Sequence, residues 1–593
     1  MLNSVRTLLQ LLWLDFERQV ELRPKGLELV NRNNRRMQSF LAIAAMFVMA
    51  VGTAVPAVAQ NANSPDLLMV TKIRQEGFHN SKVMEVMSEL SDKLGQRLTG
   101  SPNQKRANEW ARDTMAQWGL QNAHLEPFSF GRGWTTDGAT VEMVAPDRVQ
   151  LYVIPKAWTP GTNGVIKGEA IHLAATTRED LEKYKGALAG KIVLLGDVRE
   201  LKPGAEPALK RYDEKGLTEV GDYNIPGAAF RDPTGRIFSR EDIIRRFQFQ
   251  RELQKFIADE KPALVIEGSR GDNGLIFVGG SQAWRKGEAE GVPWVYMAAE
   301  HYNRMARLVD RKVPVEVEAE VKAKFDDSNE GNSWNTVAEI PGTDKKDELV
   351  MVGAHIDSWH AGTGATDDGA GVAVTMEAMR ILQSLGVKPR RTIRIGLWGG
   401  EEQGLLGSRA YVEQHFGKRE APPQRPGADN GLPSFMRGEQ GTLMLKADQA
   451  KVSAYFNIDN GTGKLRGIYT QENPQVAPIF EAWGEPFRDV GFTTITNRNT
   501  GGTDHLSFDA VGIPGFQFIQ DPVEYESRTH HSNMDMYDRI QREDMMQASV
   551  ILAAFLYNAA IREELMPRKP LPKDTKMEEA PKVEPVKPVK KKK

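Results

Sequence analysis

Strands and helices alternate along the second half of this chain, and that alternation limits the fold more than any other feature. Strand-like runs at residues 349–354 and 392–398 are each followed by a helical segment, at 372–385 and 410–415. The pattern predicts an α/β fold of three layers, α/β/α, with a mostly parallel central sheet. Ligand and metal sites in such sheets lie beyond the carboxyl ends of the strands. Functional side chains are therefore expected directly after the strand-like runs.

The 593 residues exceed what a single core usually supports, so several domains are expected. The segment before the alternating half is rich in short β-like runs broken by Gly and Pro, which predicts a β-rich insert. The last residues are rich in Lys, Pro and Glu and predict a disordered tail. The predicted domains are a signal peptide (1–59), an N-terminal helical part of the catalytic domain (60–132), the insert (133–325), the catalytic domain (326–566) and the tail (567–593).

The N-terminus carries an export signal. Arginines within residues 32–36 precede an uncharged apolar run at 40–58, and a small-x-small cleavage site ends at Ala59. Cleavage there predicts a periplasmic or secreted protein with no stable membrane anchor. An uncleaved anchor is the alternative, because the run is nearly long enough to span a bilayer. Translation starts at either Met1 or Met37.

The amino-acid composition limits which side chains could bind a metal and which ligands the chain could attract. The chain has no cysteine, which excludes disulfides, thiol nucleophiles and cysteine-held zinc and leaves His, Asp and Glu as the available metal ligands. The formal charge of −2 gives no electrostatic case for binding nucleic acid. A metal-dependent or acid–base enzyme fits this composition better than a nucleic-acid-binding protein.

Residues suited to metal ligation recur in five short segments of the predicted catalytic domain. Taken singly, each has an ordinary structural explanation, such as a solvated Glu pair or an Asp-Asp-Gly turn. Taken together, they place His and carboxylate side chains after successive strands, where the side chains converge on one rim of the sheet. The segments are 352–358, 364–371, 397–404, 456–461 and 529–535.

A pair of zinc ions needs a bridging carboxylate that is held rigidly, and a further carboxylate beside the metals to act as a base. Asp367 fits the bridging role because it lies in a glycine-rich turn at the start of a helix. Glu401 and Glu402 suit one base and one ligand, because neighbouring residues of an extended segment point in different directions.

These motifs resemble the di-zinc metallopeptidase family of secreted bacterial aminopeptidases and glutamate carboxypeptidases. The likeness is closest to its carboxypeptidase Q (plasma glutamate carboxypeptidase) branch, and the middle of the chain resembles the protease-associated domain that many members carry as an insert. The matching motifs are His355-x-Asp357, Asp367-Asp368-Gly369, Glu401-Glu402-x-Gly404, Asp459, His531-Ser532-x-x-Asp535 and Arg97-Leu98-Thr99-Gly100-Ser101.

The resemblance implies two Zn²⁺ per chain, with one bridging ligand, two further ligands for each metal, a general base and a carboxylate that orients a ligand. Asp367 would be the bridging ligand. His355 and Asp459 would complete the ligands of one zinc, and Glu402 and His531 those of the other. Glu401 would be the general base, and Asp357 would orient His355. Asp535 is expected either to orient His531 in the same way or to cap a helix.

Further residues are candidates for contacting the substrate. His530 stands where simple aminopeptidases of the resembled family place a Tyr, so it is expected to donate to the oxyanion. Arg498 and Arg528 are candidate anchors for a substrate carboxylate, although ordinary surface positions explain them better. Asp504 and His505 are expected to line the substrate pocket.

The predicted function is a secreted or periplasmic zinc-dependent exopeptidase that hydrolyses dipeptides or short peptides with a water activated by Glu401. Whether it acts as an aminopeptidase or as a carboxypeptidase or dipeptidase stays open, and the resemblance suggests a homodimer. The alternatives are a non-enzymatic receptor-like binding protein on the same fold and a single-zinc glutaminyl cyclase. The complete set of ligands and the Glu401-Glu402 pair disfavour both.

Overall fold

The apolar runs of the catalytic domain form fully buried strands, and alternate residues of each strand face different layers. In the strand at Lys345–His355, Val350 and Val352 pack in one hydrophobic cluster, whereas Leu349 and Met351 pack in another. Both clusters are buried, which is why this strand reads as a continuous apolar run. The computed structural model describes residues 63–201, 204, 207–222, 240–420 and 441–578. The predicted signal peptide lies outside them.

The described residues form the following strands and helices. The strands are β1 Gln121–Ser129, β2 Gly133–Ala145, β3 Val149–Leu151, β4 Val153–Pro155, β5 Ile166–Leu173, β6 Ile192–Leu195, β7 Leu264–Gly268, β8 Trp294–Met297, β9 Glu316–Asp326, β10 Asn332–Ile340, β11 Lys345–His355, β12 Arg391–Trp398, β13 Gly417–Arg419, β14 Leu443–Leu445, β15 Val452–Asn457, β16 Leu465–Tyr469, β17 Thr494–Thr496, β18 Gly515–Gln520 and β19 Lys576–Met577. The helices are α1 Leu67–His79, α2 Val83–Ser88, α3 Pro102–Gln117, α4 Arg178–Glu182, α5 Glu214–Gly221, α6 Arg240–Glu260, α7 Ala299–Asp310, α8 Ala370–Ser384, α9 Leu406–His415, α10 Ala477–Gly484, α11 His505–Asp509 and α12 Arg542–Ile561.

The first sheet has the strand order β1-β10-β12-β11-β15-β18-β16-β17. Its central strands β12, β11, β15 and β18 are parallel. At the edges, β10 runs antiparallel to β1 and β12, and β16 runs antiparallel to β18 but parallel to β17. Helices α8 and α12 cover one face, and α9 and α11 contribute side chains to the cluster on the other. The predicted three-layer α/β/α fold is confirmed, with a sheet that is parallel at its centre and mixed at its edges.

Strand register brings the ends of the central strands to one level. His355 at the end of β11 lies opposite Trp398 at the end of β12, and Gly353 lies opposite Asn457 at the end of β15. Because parallel strands end at the same edge, the segments that follow them start side by side.

A second sheet, with the order β3-β2-β9-β5-β6-β7-β8-β4, is built from strands between Gly133 and Asp326. This segment, here called the second-sheet region, leaves the first sheet after β1 and returns at β10, and β1 and β10 pair with each other. The second sheet thus lies where the sequence predicts an inserted domain. Its resemblance to a protease-associated domain stays a prediction.

Two stretches differ from the sequence-based description. The predicted helical part at 60–132 also contains β1, an edge strand whose mostly polar residues are only partly buried and give little apolar periodicity. Residues 567–578, predicted to belong to a disordered tail, pack on the fold. There Arg568 donates to the carbonyl of Gln449 at 3.0 Å, Lys569 pairs with Asp509 at 2.7 Å, and β19 pairs with β14. Charged side chains and backbone bonds hold a segment that has little apolar surface to bury.

Helix α12 is long and apolar enough to cross a membrane, but 83% of its apolar stretch is buried inside the fold. Its side chains belong to the largest hydrophobic cluster, where they pack against α1 and α8. In this structure α12 is therefore a core helix.

Candidate active site

The candidate ligands lie at the carboxyl ends of the central strands, as the fold predicts. His355 is the last residue of β11, and Asp459 lies just past the end of β15. Glu401 and Glu402 follow the end of β12, and His531 lies on the segment after β18. The structure therefore brings together side chains from four neighbouring strand ends.

One side of the site is formed by His355, Asp459 and one oxygen of Asp367. The Nε2 atom of His355 lies 3.2 Å from Oδ1 of Asp367 and 3.6 Å from Oδ1 of Asp459. All three side chains are buried. Their ligand atoms lie within 4.8 Å of one another, which is close enough to hold one cation.

The other side is formed by His531, Glu402 and the second oxygen of Asp367. The Nε2 atom of His531 lies 3.2 Å from Oδ2 of Asp367 and 2.9 Å from Oε2 of Glu402. His530 also points to this side, with its Nε2 atom 3.8 Å from Oδ2 of Asp367. Asp367 thus presents one oxygen to each side, which is the arrangement that a bridging carboxylate requires.

Two oxygens at the centre of this cluster accept no hydrogen bond from the described part of the chain. They are Oδ2 of Asp367, which has only the ion-pair contacts with His530 and His531, and Oε1 of Glu402, and both are buried. A buried carboxylate oxygen without a hydrogen bond is costly, whereas a bound cation would satisfy it. The donor set of imidazoles and carboxylates therefore fits divalent metals such as zinc.

Burial and neighbouring charges set the protonation of the acidic side chains. Burial raises the pKa of Glu401 well above its ordinary value; the charge of His355 opposes this, and that of Asp459 adds to it. Burial also acts to raise the pKa of Asp367, but contacts with His355 and His531 outweigh it and hold that pKa well below its ordinary value. Asp367 is therefore held as an anion between the two histidines, whereas the proton affinity of Glu401 is raised.

Asp357 holds the turn that carries the glutamate pair. Its carboxylate accepts hydrogen bonds from the backbone N–H groups of Glu401 and Glu402, at 3.2 and 3.4 Å, and from Oγ1 of Thr99 at 2.7 Å. Nδ1 of His355 lies 3.0 Å from the backbone carbonyl oxygen of Asp357 but 3.6 Å from its carboxylate. The expected orientation of His355 thus comes through the carbonyl, and the carboxylate acts mainly on the glutamate turn.

Asp535 holds the turn that carries the bridging aspartate. Its carboxylate accepts the backbone N–H groups of Thr366 and Asp367 at 2.6 and 3.2 Å. It was expected to orient His531 or to cap a helix, but these bonds fix the backbone of Asp367 instead. The neighbouring Asp368 accepts the N–H of His355 at 3.2 Å, and the peptide bond between Asp367 and Asp368 is cis.

Residues 335–556, which include this cluster, match the model of Peptidase family M28. The domain they form belongs to peptidase family M28.

Similar proteins agree with this assignment. Carboxypeptidase Q from Bos taurus is 25% identical to this chain over 494 residues, covering 83% of this chain and 88% of that protein. The crystal structure of a Peptidase M28 precursor from Shewanella amazonensis matches with a TM-score of 0.59 and 24% identity, covering 85% of this chain and 98% of the other. The crystal structure of BSAP, a zinc aminopeptidase from Bacillus subtilis, matches with a TM-score of 0.50 and 19% identity, covering 82% of this chain and 98% of the other. The family model and the relative confirm the predicted family and its enzyme class, hydrolase, and the solved structures confirm the fold class.

The sequence analysis did not identify the buried polar residues that hydrogen-bond to the segments carrying the candidate ligands of the M28 site. Arg97 is fully buried and donates to the carbonyl oxygens of Ile356 at 2.7 Å and Gly364 at 2.9 Å, which links the strand end of His355 to the turn of Asp367. Its motif was noted only for its resemblance to the family. Buried Asn457 donates to Gln517 at 2.9 Å beneath Asp459. A polar residue at the end of an apolar strand run is the signal that points to such a role.

The residues predicted to contact the substrate lie in different surroundings. Arg498 donates to the backbone carbonyl of Asp222, and Arg528 pairs with Glu524 at 3.2 Å, so both candidate anchors are engaged by protein groups. Asp504 is completely buried, and burial raises its pKa to about 7. Its charge raises the pKa of Glu401, which places Asp504 within electrostatic reach of that residue.

Proposed function

We propose that this chain is an exported di-zinc exopeptidase that hydrolyses dipeptides or short peptides. The observation that carries the proposal is the carboxylate of Asp367, whose oxygens lie 3.2 Å from His355 on one side and 3.2 Å from His531 on the other. The M28 assignment supports a peptidase, and similarity to a zinc aminopeptidase supports zinc as the metal.

His355 and Asp459 hold one zinc in this proposal, Glu402 and His531 hold the other, and Asp367 bridges the two. Zinc bound there would lower the pKa of the attacking water towards ~7 and polarise the substrate carbonyl. The oxygens of Asp367 and Glu402 that accept no hydrogen bond fit this occupancy.

Glu401 is the general base. Its raised pKa suits it to accept a proton from the attacking water and to deliver that proton to the leaving amine. The carboxylate of Asp357 fixes the backbone of Glu401, so the base is held by a contact that does not depend on substrate.

His530 is proposed to donate a hydrogen bond to the oxyanion. Its ring stacks on Tyr525 with centroids 4.7 Å apart, and its Nδ1 atom lies 3.6 Å from Glu526. Burial alone would lower the pKa of His530, but Glu526 and Asp367 outweigh it and raise that pKa, which favours the donating imidazolium.

Replacing His530 by Ala is expected to lower kcat by roughly 10²–10³-fold without loss of zinc, because removal of one oxyanion donor has an effect of that size. The measurement pairs steady-state kinetics with zinc analysis of the same sample. Because His530 also approaches Asp367, its role as a ligand is the competing explanation. Loss of one zinc in His530→Ala would establish the ligand role and end the donor assignment.

The experiment that tests the function is a panel of dipeptides, N-blocked peptides and C-amidated peptides, assayed with and without a chelator. We expect chelation to abolish hydrolysis and added zinc to restore it. Cleavage of N-blocked peptides would exclude an obligate aminopeptidase, and cleavage of C-amidated peptides would exclude an obligate carboxypeptidase. Absence of zinc-dependent cleavage across the whole panel would contradict the proposal and favour a receptor-like protein, or a glutaminyl cyclase if only glutaminyl peptides react.

The wider proposal retains the export signal and the inserted domain. Residues 1–59 act as a cleaved signal peptide for the periplasm or the exterior, and the second-sheet region is a protease-associated-like insert. A homodimer, which the resemblance of the sequence motifs suggests, is part of the same proposal.

A further inference from the structure

The segment that follows β18 carries both His530 and His531, and it contacts two separate parts of the second-sheet region. We call residues 521–533 the histidine loop. Its C-terminal part pairs with residues 276–278: Val278 donates to the carbonyl of His531 at 2.9 Å, and Asn533 donates to the carbonyl of Ile276 at 3.1 Å. The side chain of Asn533 also accepts the N–H of Ile276 at 2.9 Å. These bonds fix the backbone on both sides of Ser532.

The N-terminal part of the histidine loop contacts residues 208–212, a segment between β6 and β7. The N–H of Lys210 donates to the carbonyl of Val523 at 2.8 Å. Oγ of Ser527 donates to the carbonyl of Ala208 at 2.9 Å. The loop is therefore held at both of its ends by the same region of the chain.

Arg211 is the charged part of this second contact. Its Nη1 atom lies 3.1 Å from Oδ2 of Asp521 and 2.7 Å from Oδ2 of Asp544. Asp521 is completely buried, and it also accepts the backbone N–H of Tyr212 at 3.0 Å and pairs with Arg466 at 3.0 Å. Removal of Arg211 would leave two buried carboxylates with less compensation, which makes this contact energetically important.

The opposite side of the site is held differently. His355 belongs to β11, and its N–H donates to Asp368 at 3.2 Å. The carbonyl of Asp459 accepts Nε2 of Gln517 at 3.1 Å. These bonds come from the first sheet and its turns, so one metal position is fixed by the strand ends, whereas the other depends on the histidine loop.

We infer that the second-sheet region positions one metal of the pair: the contacts of residues 208–212 and 276–278 with the histidine loop fix His531 for its zinc, and Arg211 is a positioning residue. The inference rests on the proposed two-zinc site and adds that the two zinc ions differ in their dependence on the second-sheet region. The zinc on the His531 and Glu402 side is lost when these contacts are broken, and the zinc on the His355 and Asp459 side is retained.

The test is a stepwise chelator titration of the full-length protein, read out as bound zinc per chain. In Arg211→Met we expect one zinc to be released at 10- to 100-fold lower chelator concentration than in the unmodified protein, because partners that support a ligand commonly affect metal affinity by that factor. The second zinc should leave at the unmodified concentration. At a chelator concentration that has already removed this zinc from Arg211→Met, adding His531→Ala should lower the zinc count no further, which identifies the released ion.

Three further variants separate positioning from general destabilisation. Asn533→Ala breaks the other contact of the histidine loop and should cause the same selective loss. Arg380→Met is the matched control, because Arg380 is a mostly buried arginine that pairs with Glu76 at 2.8 Å and Glu377 at 2.7 Å, away from the histidine loop. The control should lower thermal stability without changing the order in which the two ions leave. Arg211→Lys should restore part of the affinity for the sensitive zinc, because it keeps the charge but not the forked geometry.

If folded Arg211→Met and Asn533→Ala variants release both zinc ions as the unmodified protein does, or release both equally early, the positioning role is wrong. An Arg211→Met protein that does not fold leaves Asn533→Ala and Arg211→Lys to decide by the same criterion. If the unmodified protein binds fewer than two zinc ions, the proposed function itself fails.

Discussion

Replacing Glu401 by Gln is expected to lower kcat by roughly 10²–10⁴-fold, the usual contribution of a general base, while both zinc ions stay bound. Glutamine has the same shape and keeps the backbone N–H that donates to Asp357 at 3.2 Å. Its amide does not accept the proton of the attacking water, so the step that depends on the base is lost.

Kinetics on the best peptide of the panel, together with zinc analysis, measure this effect. Glu485→Gln is the control for the same chemical change, because Glu485 is an exposed residue that pairs only with Arg488 among the ion pairs described for it. Near-normal activity of Glu401→Gln would remove the base assignment. Loss of zinc would show that Glu401 is a ligand.

Replacing Asp367 by Asn is expected to reduce bound zinc from two ions per chain to one or none. The side chain loses its negative charge, and an NH₂ group replaces one of the two oxygens that now face His355 and His531 at 3.2 Å. A catalytic metal supplies several kcal/mol of transition-state stabilisation. A loss of ~4 kcal/mol corresponds to about a thousandfold lower rate.

Metal analysis after dialysis, followed by kinetics in excess zinc, checks this second prediction. Asp489→Asn is the matched control, because Asp489 forms an exposed pair with Arg74 at the surface. Full occupancy of two ions in folded Asp367→Asn would contradict the bridging role.

The fold and the place of the candidate site could be predicted from sequence because local patterns carry them, whereas the role of each ligand came from the resemblance and stays a prediction. The apolar run of β11 ends at His355, and the run of β12 ends just before Glu401, so strand recognition alone placed both at the same edge. The mixed edges of the sheet were harder to predict. Edge strand β1 pairs with β10 although the second-sheet region separates them, and its partly buried polar residues give no periodic signal.

The supporting contacts were beyond sequence reasoning because they join residues far apart in the chain. Asp535 binds the backbone of Asp367, and Arg211 reaches Asp521 and Asp544. No local pattern marks such a partner, since the partner is a backbone N–H or a charge brought near by tertiary structure. The same limit explains why Asp357 was assigned only to His355 and its bonds to the glutamate turn were not predicted.

Anomalous X-ray scattering at the zinc absorption edge, from a crystal of the zinc-loaded protein, tests directly whether Asp367 lies between two zinc ions. We expect two peaks ~3.5–4 Å apart, one beside His355 and Asp459 and the other beside His531 and Glu402, with Asp367 between them. A single peak, or a pair that does not share Asp367, would contradict it.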